Sequence, residues 1–245
     1  PLKQGIHRPV MQSQDQEVFE KLGEWLQNGS APYLCTIVKA IGSSPRPVGS
    51  MLGCCGEHSI GTLSGGCVEE DLLDKLSTDA IDASIPQLIE YGVSAEENER
   101  LGLPCGGRLH ILVQQLFPAS ADWVKDVVTA LRARSSMVRT TDLKTGVTCA
   151  EVTEDYVPLS LTQNSLKQGL GPKMQMLLVG AGQLAQVLAQ LALAMDYEVI
   201  VTDTREDVIA QWQGPDIELL HGLPDDIIAR RSSDPKNVIV TLTHD

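Results

Sequence analysis

The sequence predicts an α/β chain in two parts: a mixed α/β domain with glycine-rich loops, then a doubly wound, parallel α/β domain. Three observations lead there. Short apolar and β-branched runs alternate with helix-period segments. Loops rich in glycine and proline crowd the first half of the chain. After residue 172 the grammar becomes strand–helix–strand with short connections, the pattern of a parallel sheet. The 245 residues, 42% hydrophobic and 21% charged, suffice for one large core or two modest ones and exclude a disordered chain.

The elements follow in order. Val18, Leu22, Trp25 and Leu26 keep the i, i+4, i+7, i+8 rule and predict an opening helix that stops at Asn28-Gly29. Residues 33–40 read as a strand. The segment Ile41-Gly-Ser-Ser-Pro-Arg-Pro-Val-Gly-Ser50 cannot extend it, because two prolines remove ladder donors. Residues 51–55 and 59–63 read as a hairpin around Gly56, and 64–71 as a tight turn entering a helix. Strands are expected at 88–93 and 108–115, a helix at 121–134, and a strand pair at 137–142 and 147–152. Residues 159–172 are polar and aperiodic and read as a linker, dividing the chain into domains at 1–158 and 173–245. Beyond it come a strand (176–179), a helix (183–194) and strands at 198–202 and 238–242. That is the first half of a doubly wound sheet plus one strand, so this domain reads as truncated.

Charge and composition exclude several functions. Lys+Arg is 19 against Asp+Glu 32, a net charge of −13. Without clustered cations the chain is expected to bind neither nucleic acid nor a membrane. No secretory signal is read in the polar first 16 residues, and six cysteines are too sparse for a disulfide scaffold. A cytoplasmic protein with free thiols is expected. No C-x-x-C or H-x-x-x-H occurs, so a structural zinc site is not expected. A G-x-S-x-G elbow and a P-loop lysine are likewise missing from the sequence, leaving hydrolase and kinase chemistry unsupported.

Four motifs carry chemistry. Gly180-Ala-Gly-Gln-Leu-Ala185 is a G-x-G-x-x-A turn between a strand and a helix, the arrangement of a Rossmann-like domain. Gly180 permits the turn, Gly182 the approach of a pyrophosphate, and Asp203 stands where an acid accepts ribose hydroxyls, with Arg205 two residues on. Ser43, Ser44 and Arg46 offer hydroxyls and a guanidinium suited to an oxyanion. Ser64-Gly65-Gly66-Cys67 leads into a helix, whose positive end stabilises a thiolate at Cys67. Glu69 either orients a ligand or complements that helix dipole. Cys105-Gly106-Gly107 sets a second thiol in a flexible turn. Cys35 and Cys149, within strands, read as buried and inert.

The strings 41–50, Gly61-Thr-Leu-Ser-Gly-Gly-Cys-Val-Glu69 and Cys105-Gly-Gly107, followed by Leu178-Val-Gly-Ala-Gly182, Asp203-Thr-Arg205 and Thr243-His-Asp245, resemble the xanthine dehydrogenase accessory (XdhC/CoxI-like) proteins. The resemblance implies a chaperone, with no turnover of its own, that binds molybdenum cofactor (molybdopterin or its dinucleotide form). Such a protein shields the cofactor and delivers it to an apo-molybdoenzyme of the xanthine dehydrogenase or aldehyde oxidoreductase type. It further implies a homodimer, and admits a cysteine desulfurase or a cofactor nucleotidyltransferase as additional partners. Cys67 is then the cofactor-facing thiol and the candidate molybdenum contact, with Cys105 second. Two other readings stand beside it: an NAD(P)-dependent oxidoreductase using Gly180, Gly182 and Asp203, and a sulfur-carrying thiol protein acting through Cys67 and Cys105.

Overall fold

The computed structural model describes residues 14–243 without 43, 45, 79, 102–106, 156, 173, 196 and 232–235. Two compact units result, one built on Gln14–Gly171 and one on Pro172–Asp245.

The first unit opens with α1 (Gln14–Gln27), whose apolar spacing buries Val18, Phe19, Leu22, Trp25 and Leu26. There follow β1 (Tyr33–Ile41), β2 (Met51–Cys55), β3 (His58–Gly61), α2 (Cys67–Ser77), β4 (Gln87–Tyr91), α3 (Ala95–Arg100) and β5 (Arg108–Gln115). The five strands form one antiparallel sheet in the order β3-β2-β1-β5-β4. Central β1 is covered on both faces over its first half, where Leu34, Cys35, Thr36, Ile37 and Val38 are buried in succession. Leu34 joins α1 and α4 (Ala121–Arg132) in one core, where the Phe19 and Trp123 rings meet edge-on at 5.9 Å. Cys35 and Ile37 point the other way, against Val68, Leu72 and Leu76 of α2. Each such apolar side chain contributes roughly 1.5–3 kcal/mol on burial.

A second antiparallel sheet comprises β6 (Met137–Asp142), β7 (Thr148–Val152), β8 (Ser160–Leu161) and β9 (Ser165–Leu170), in the order β7-β6-β9-β8. The stretch 159–172 therefore is not a free linker in the main. Its Leu166 and Leu170 are buried, and β9 pairs with β6 along six residues. Polar Lys167 and Gln168 masked the alternation, Gln168 being buried for reasons of hydrogen bonding described below.

The second unit comprises β10 (Gln175–Val179), α5 (Gln183–Ala194), β11 (Glu198–Asp203), α6 (Glu206–Ala210), β12 (Glu218–His221), α7 (Pro224–Arg231) and β13 (Asn237–Thr241). Its sheet runs β12-β11-β10-β13, all parallel. Ala185, Ala189 and Ala192 are fully buried in the core that α5 shares with β10 and β11, small side chains that let the helix lie close to the strands. No described helix is long and apolar enough to cross a membrane.

Candidate functional site

The loop between β3 and α2 is fastened by one carboxylate. Gly61 starts it at φ +88°, and a Cβ there would stand 2.3 Å from the Met51 carbonyl oxygen, so only glycine fits. Four successive backbone N–H groups then converge on Glu69. Oε1 accepts from Leu63 (2.8 Å), Ser64 (2.7 Å) and Gly65 (2.8 Å), and Oε2 from Gly66 (3.0 Å). The hydroxyls of Thr62 and Ser64 donate to the same carboxylate. Although partial burial opposes its charge, these donors hold the Glu69 carboxyl well below its ordinary value. This arrangement is an anion-binding nest already filled by the protein's own anion.

Two expectations change accordingly. Ser64, Gly65 and Gly66 present no free N–H groups to a phosphate, because Glu69 takes them. Glu69 neither orients a ligand through spare lone pairs nor serves only the helix dipole; it locks the loop. The residue the loop presents is Cys67, the first of α2 and exposed. The other described thiols divide by burial. Cys35 and Cys54 are buried together, and the Cys54 thiol beside Cys35, with burial, pushes the Cys35 thiol up. Cys55 is half-buried. Cys149, expected to be buried, is exposed on β7, with Sγ 3.8 Å from the Thr140 carbonyl oxygen.

The remaining first-unit candidates do not join this loop. Ser44 donates to the carbonyl of Arg46 at 2.6 Å, turning the segment on itself, and the Arg46 side chain is exposed. Gly107 is buried, its carbonyl oxygen 2.2 Å from where a Cβ on Gly92 would lie. Ser43, Cys105 and Gly106 lie outside the described residues. No hydrogen bond among the described residues ties Ser44, Arg46 or Gly107 to the Glu69 loop.

A residue that sequence inspection missed supports the 42–50 segment. Arg139 on β6 is 1% exposed. Its Nε donates to Gln168 Oε1 (2.8 Å) and its Nη2 to Thr36 Oγ1 (2.7 Å), while Gln168 Nε2 donates to the Gly49 carbonyl (3.0 Å). Burial lowers the Arg139 guanidinium to about 10. An arginine in a strand ordinarily marks a solvent face, so only the fold reveals that this one lies inside.

The second unit holds a cleft of about 710 Å³ at the carboxyl ends of β10, β11 and β13 and the N-terminus of α5. Gly180, Gly182, Asp203 and Arg205, singled out from sequence, all line it, with Gln183, Leu184, Thr204 and Thr243. Gly180 has φ +108°, and a Cβ would lie 3.0 Å from Thr243 Cγ2 and 3.3 Å from the backbone of residues 242 and 243. Gly182 is different: a Cβ there meets nothing within 4 Å, so its space opens to the cleft. Asp203, 3% exposed, accepts from the Ala181 N–H through Oδ2 (2.9 Å) and the Arg205 N–H through Oδ1 (3.0 Å). The Arg205 guanidinium closes a fork on it, Nε to Oδ1 and Nη2 to Oδ2, each 2.9 Å. That fork holds the Asp203 carboxyl well below the usual carboxylate range. Among the described residues no group of three or more His, Cys, Asp and Glu side chains is placed to hold a metal ion.

Comparison with known proteins bears on this geometry. A model of the XdhC and CoxI family matches residues 25–92, the span holding β1, the 42–50 segment and the Glu69 loop. A Bacillus subtilis (strain 168) protein, named as one of the probable subunits of xanthine dehydrogenase, is 27% identical over 244 residues, covering 89% of this chain and 74% of that protein. A crystal structure described as a xanthine dehydrogenase from Bacillus halodurans matches with TM-score 0.68 at 22% identity, covering 93% of this chain and 75% of that one. At that identity the match establishes a shared α/β fold.

Proposed function

We propose that the chain is a member of the XdhC and CoxI family, whose model matches residues 25–92, and that it serves the maturation of xanthine dehydrogenase by binding molybdenum cofactor and delivering it to the apo-enzyme. The observation that carries the reading is the exposed Cys67 at the head of α2, behind a loop that Glu69 holds in one conformation. The donor set suits the group. A thiol is a soft ligand matched to a molybdenum–sulfur centre. Taken by itself, the second unit has an open Cβ position at Gly182 that leaves room for a nucleotide phosphate to reach backbone N–H groups at a helix N-terminus.

When bound, the cofactor supplies a pterin dithiolene with a redox-active metal; the protein's part is to hold and shield it. Cys67 would contact the metal–sulfur end, and Glu69 would keep the thiol in place. The client would be an apo-molybdoenzyme of the xanthine dehydrogenase or aldehyde oxidoreductase type. A homodimer belongs to the same proposal, and light scattering on the purified chain checks it.

The test is cofactor content. Protein co-produced with cofactor biosynthesis is assayed for molybdenum and for the fluorescence of oxidised pterin. Wild type and Cys35→Ala should retain cofactor, whereas folded Cys67→Ala should lose most of it. Equal content in Cys67→Ala and wild type would remove the thiol from the proposal.

The cleft of the second unit favours one further reading, an NAD(P)-dependent oxidoreductase. Among the described residues the Asp203–Arg205 fork is the acid and base pair that lines it. Sustained oxidation of NADPH or NADH on addition of aldehydes or purines would favour the enzyme.

A further inference from the structure

The Asp203–Arg205 fork determines which ligand the second unit's cleft can take. In a parallel sheet of this kind, an acid at the end of the second strand ordinarily accepts both hydroxyls of a ribose. An ionised carboxylate has about four lone-pair sites. Here four donors occupy Asp203: the N–H groups of Ala181 and Arg205, and Nε and Nη2 of the Arg205 side chain. A ribose diol arriving at this position finds its usual acceptor already saturated.

What the cleft meets at that point is the guanidinium. The Asp203 side chain is 2% exposed and the Arg205 side chain 59%. Arginine carries five N–H donors, and two are committed to Asp203. The remaining donors are matched to an acceptor-rich group, and a phosphate offers that geometry. The two acids that follow, Glu206 and Asp207, are not among the residues that line the cleft.

We propose that the cleft formed by Gly180, Gly182, Asp203 and Arg205 binds nucleotides whose ribose carries a phosphate in preference to those with a free ribose diol, Arg205 being the specificity-determining residue. The Gly180-Ala-Gly182 turn and the start of α5 take the diphosphate, and Arg205 takes the second phosphate at the end of β11. This inference concerns the second unit alone and does not depend on Cys67 or on molybdenum.

The experiment titrates the full chain with NADPH and with NADH, followed by nicotinamide fluorescence. Wild type should bind NADPH at least tenfold more tightly. In Arg205→Ala the order should reverse, because the carboxylate regains free lone pairs and the phosphate loses its partner. Gly182→Val, whose side chain would fill the open space at the turn, should weaken both ligands. Circular dichroism confirms that each variant is folded; Arg205 is exposed and Gly182 has no close neighbours, so neither change disturbs packing. Equal or tighter binding of NADH by wild type overturns the proposal. So does failure of both ligands to bind, an unchanged preference in Arg205→Ala, or undiminished binding by Gly182→Val.

Discussion

Glu69 shows how one side chain can decide the state of a whole loop. Replacing it by Gln keeps the shape but turns one acceptor into a donor facing N–H groups. Glu69→Gln should therefore raise amide exchange at residues 63–66 by at least a hundredfold and lower stability at neutral pH. The pH dependence has a definite sign. Because folding depresses this carboxyl from its ordinary 4.5, its stabilisation is complete above that value and is lost as pH falls through the folded value. Urea unfolding should thus show the difference between wild type and Glu69→Gln shrinking only below about pH 4.5. The thiols offer a second check. Iodoacetamide should modify exposed Cys67 and Cys149 within minutes, while Cys35 and Cys54 resist until denaturant is added; mass spectrometry reads the order, and rapid labelling of Cys35 would contradict its placement in the core.

At the scale of elements, the two glycines of the β10–α5 turn have separable roles. Gly180→Ala forces a Cβ into a left-handed backbone beside Thr243 and should cost at least about 1 kcal/mol. Gly182→Ala, at φ −76° with nothing nearby, should leave the melting temperature unchanged. Arg139→Ala strips hydrogen bonds from Thr36 and Gln168 and empties the space of a long stem, a loss of about 3 kcal/mol in urea; Arg139→Met, which refills the volume, should lose less. These pairs also mark what the sequence could disclose. Gly180, Gly182, Asp203 and Arg205 were legible as one site because local chain geometry brings them together within a strand–helix–strand unit. The buried role of Arg139 was not, since it depends on a sheet pairing β6 with a segment that reads as linker. The same long-range pairing hid β8 and β9. Brevity concealed β12, α6 and α7, with four, five and eight residues. The position of Glu69 in the first turn of α2 is plain from sequence, yet its saturation is not, because nothing in residue types says where four backbone N–H groups converge.

For the molecule as a whole, the division at Gly171/Pro172 proposes two bodies that limited proteolysis should release. Cleavage near residues 171–174 should precede degradation of either fragment, and gel electrophoresis would show two stable bands rather than a ladder. The net charge of −13 adds a constraint on encounter: a client surface rich in lysine and arginine is drawn in, so its association rate should fall as salt is raised. The internal anion of the Glu69 loop has a thermodynamic corollary. A binding loop disordered in the free protein would lose conformational entropy on meeting its ligand, and calorimetry would register a large negative heat-capacity change with an unfavourable entropy. Here that ordering is completed during folding, by a carboxylate that never leaves. Ligand capture by Cys67 should consequently show a small heat-capacity change and an association rate insensitive to loop glycine content, the signature of a lock built before its key.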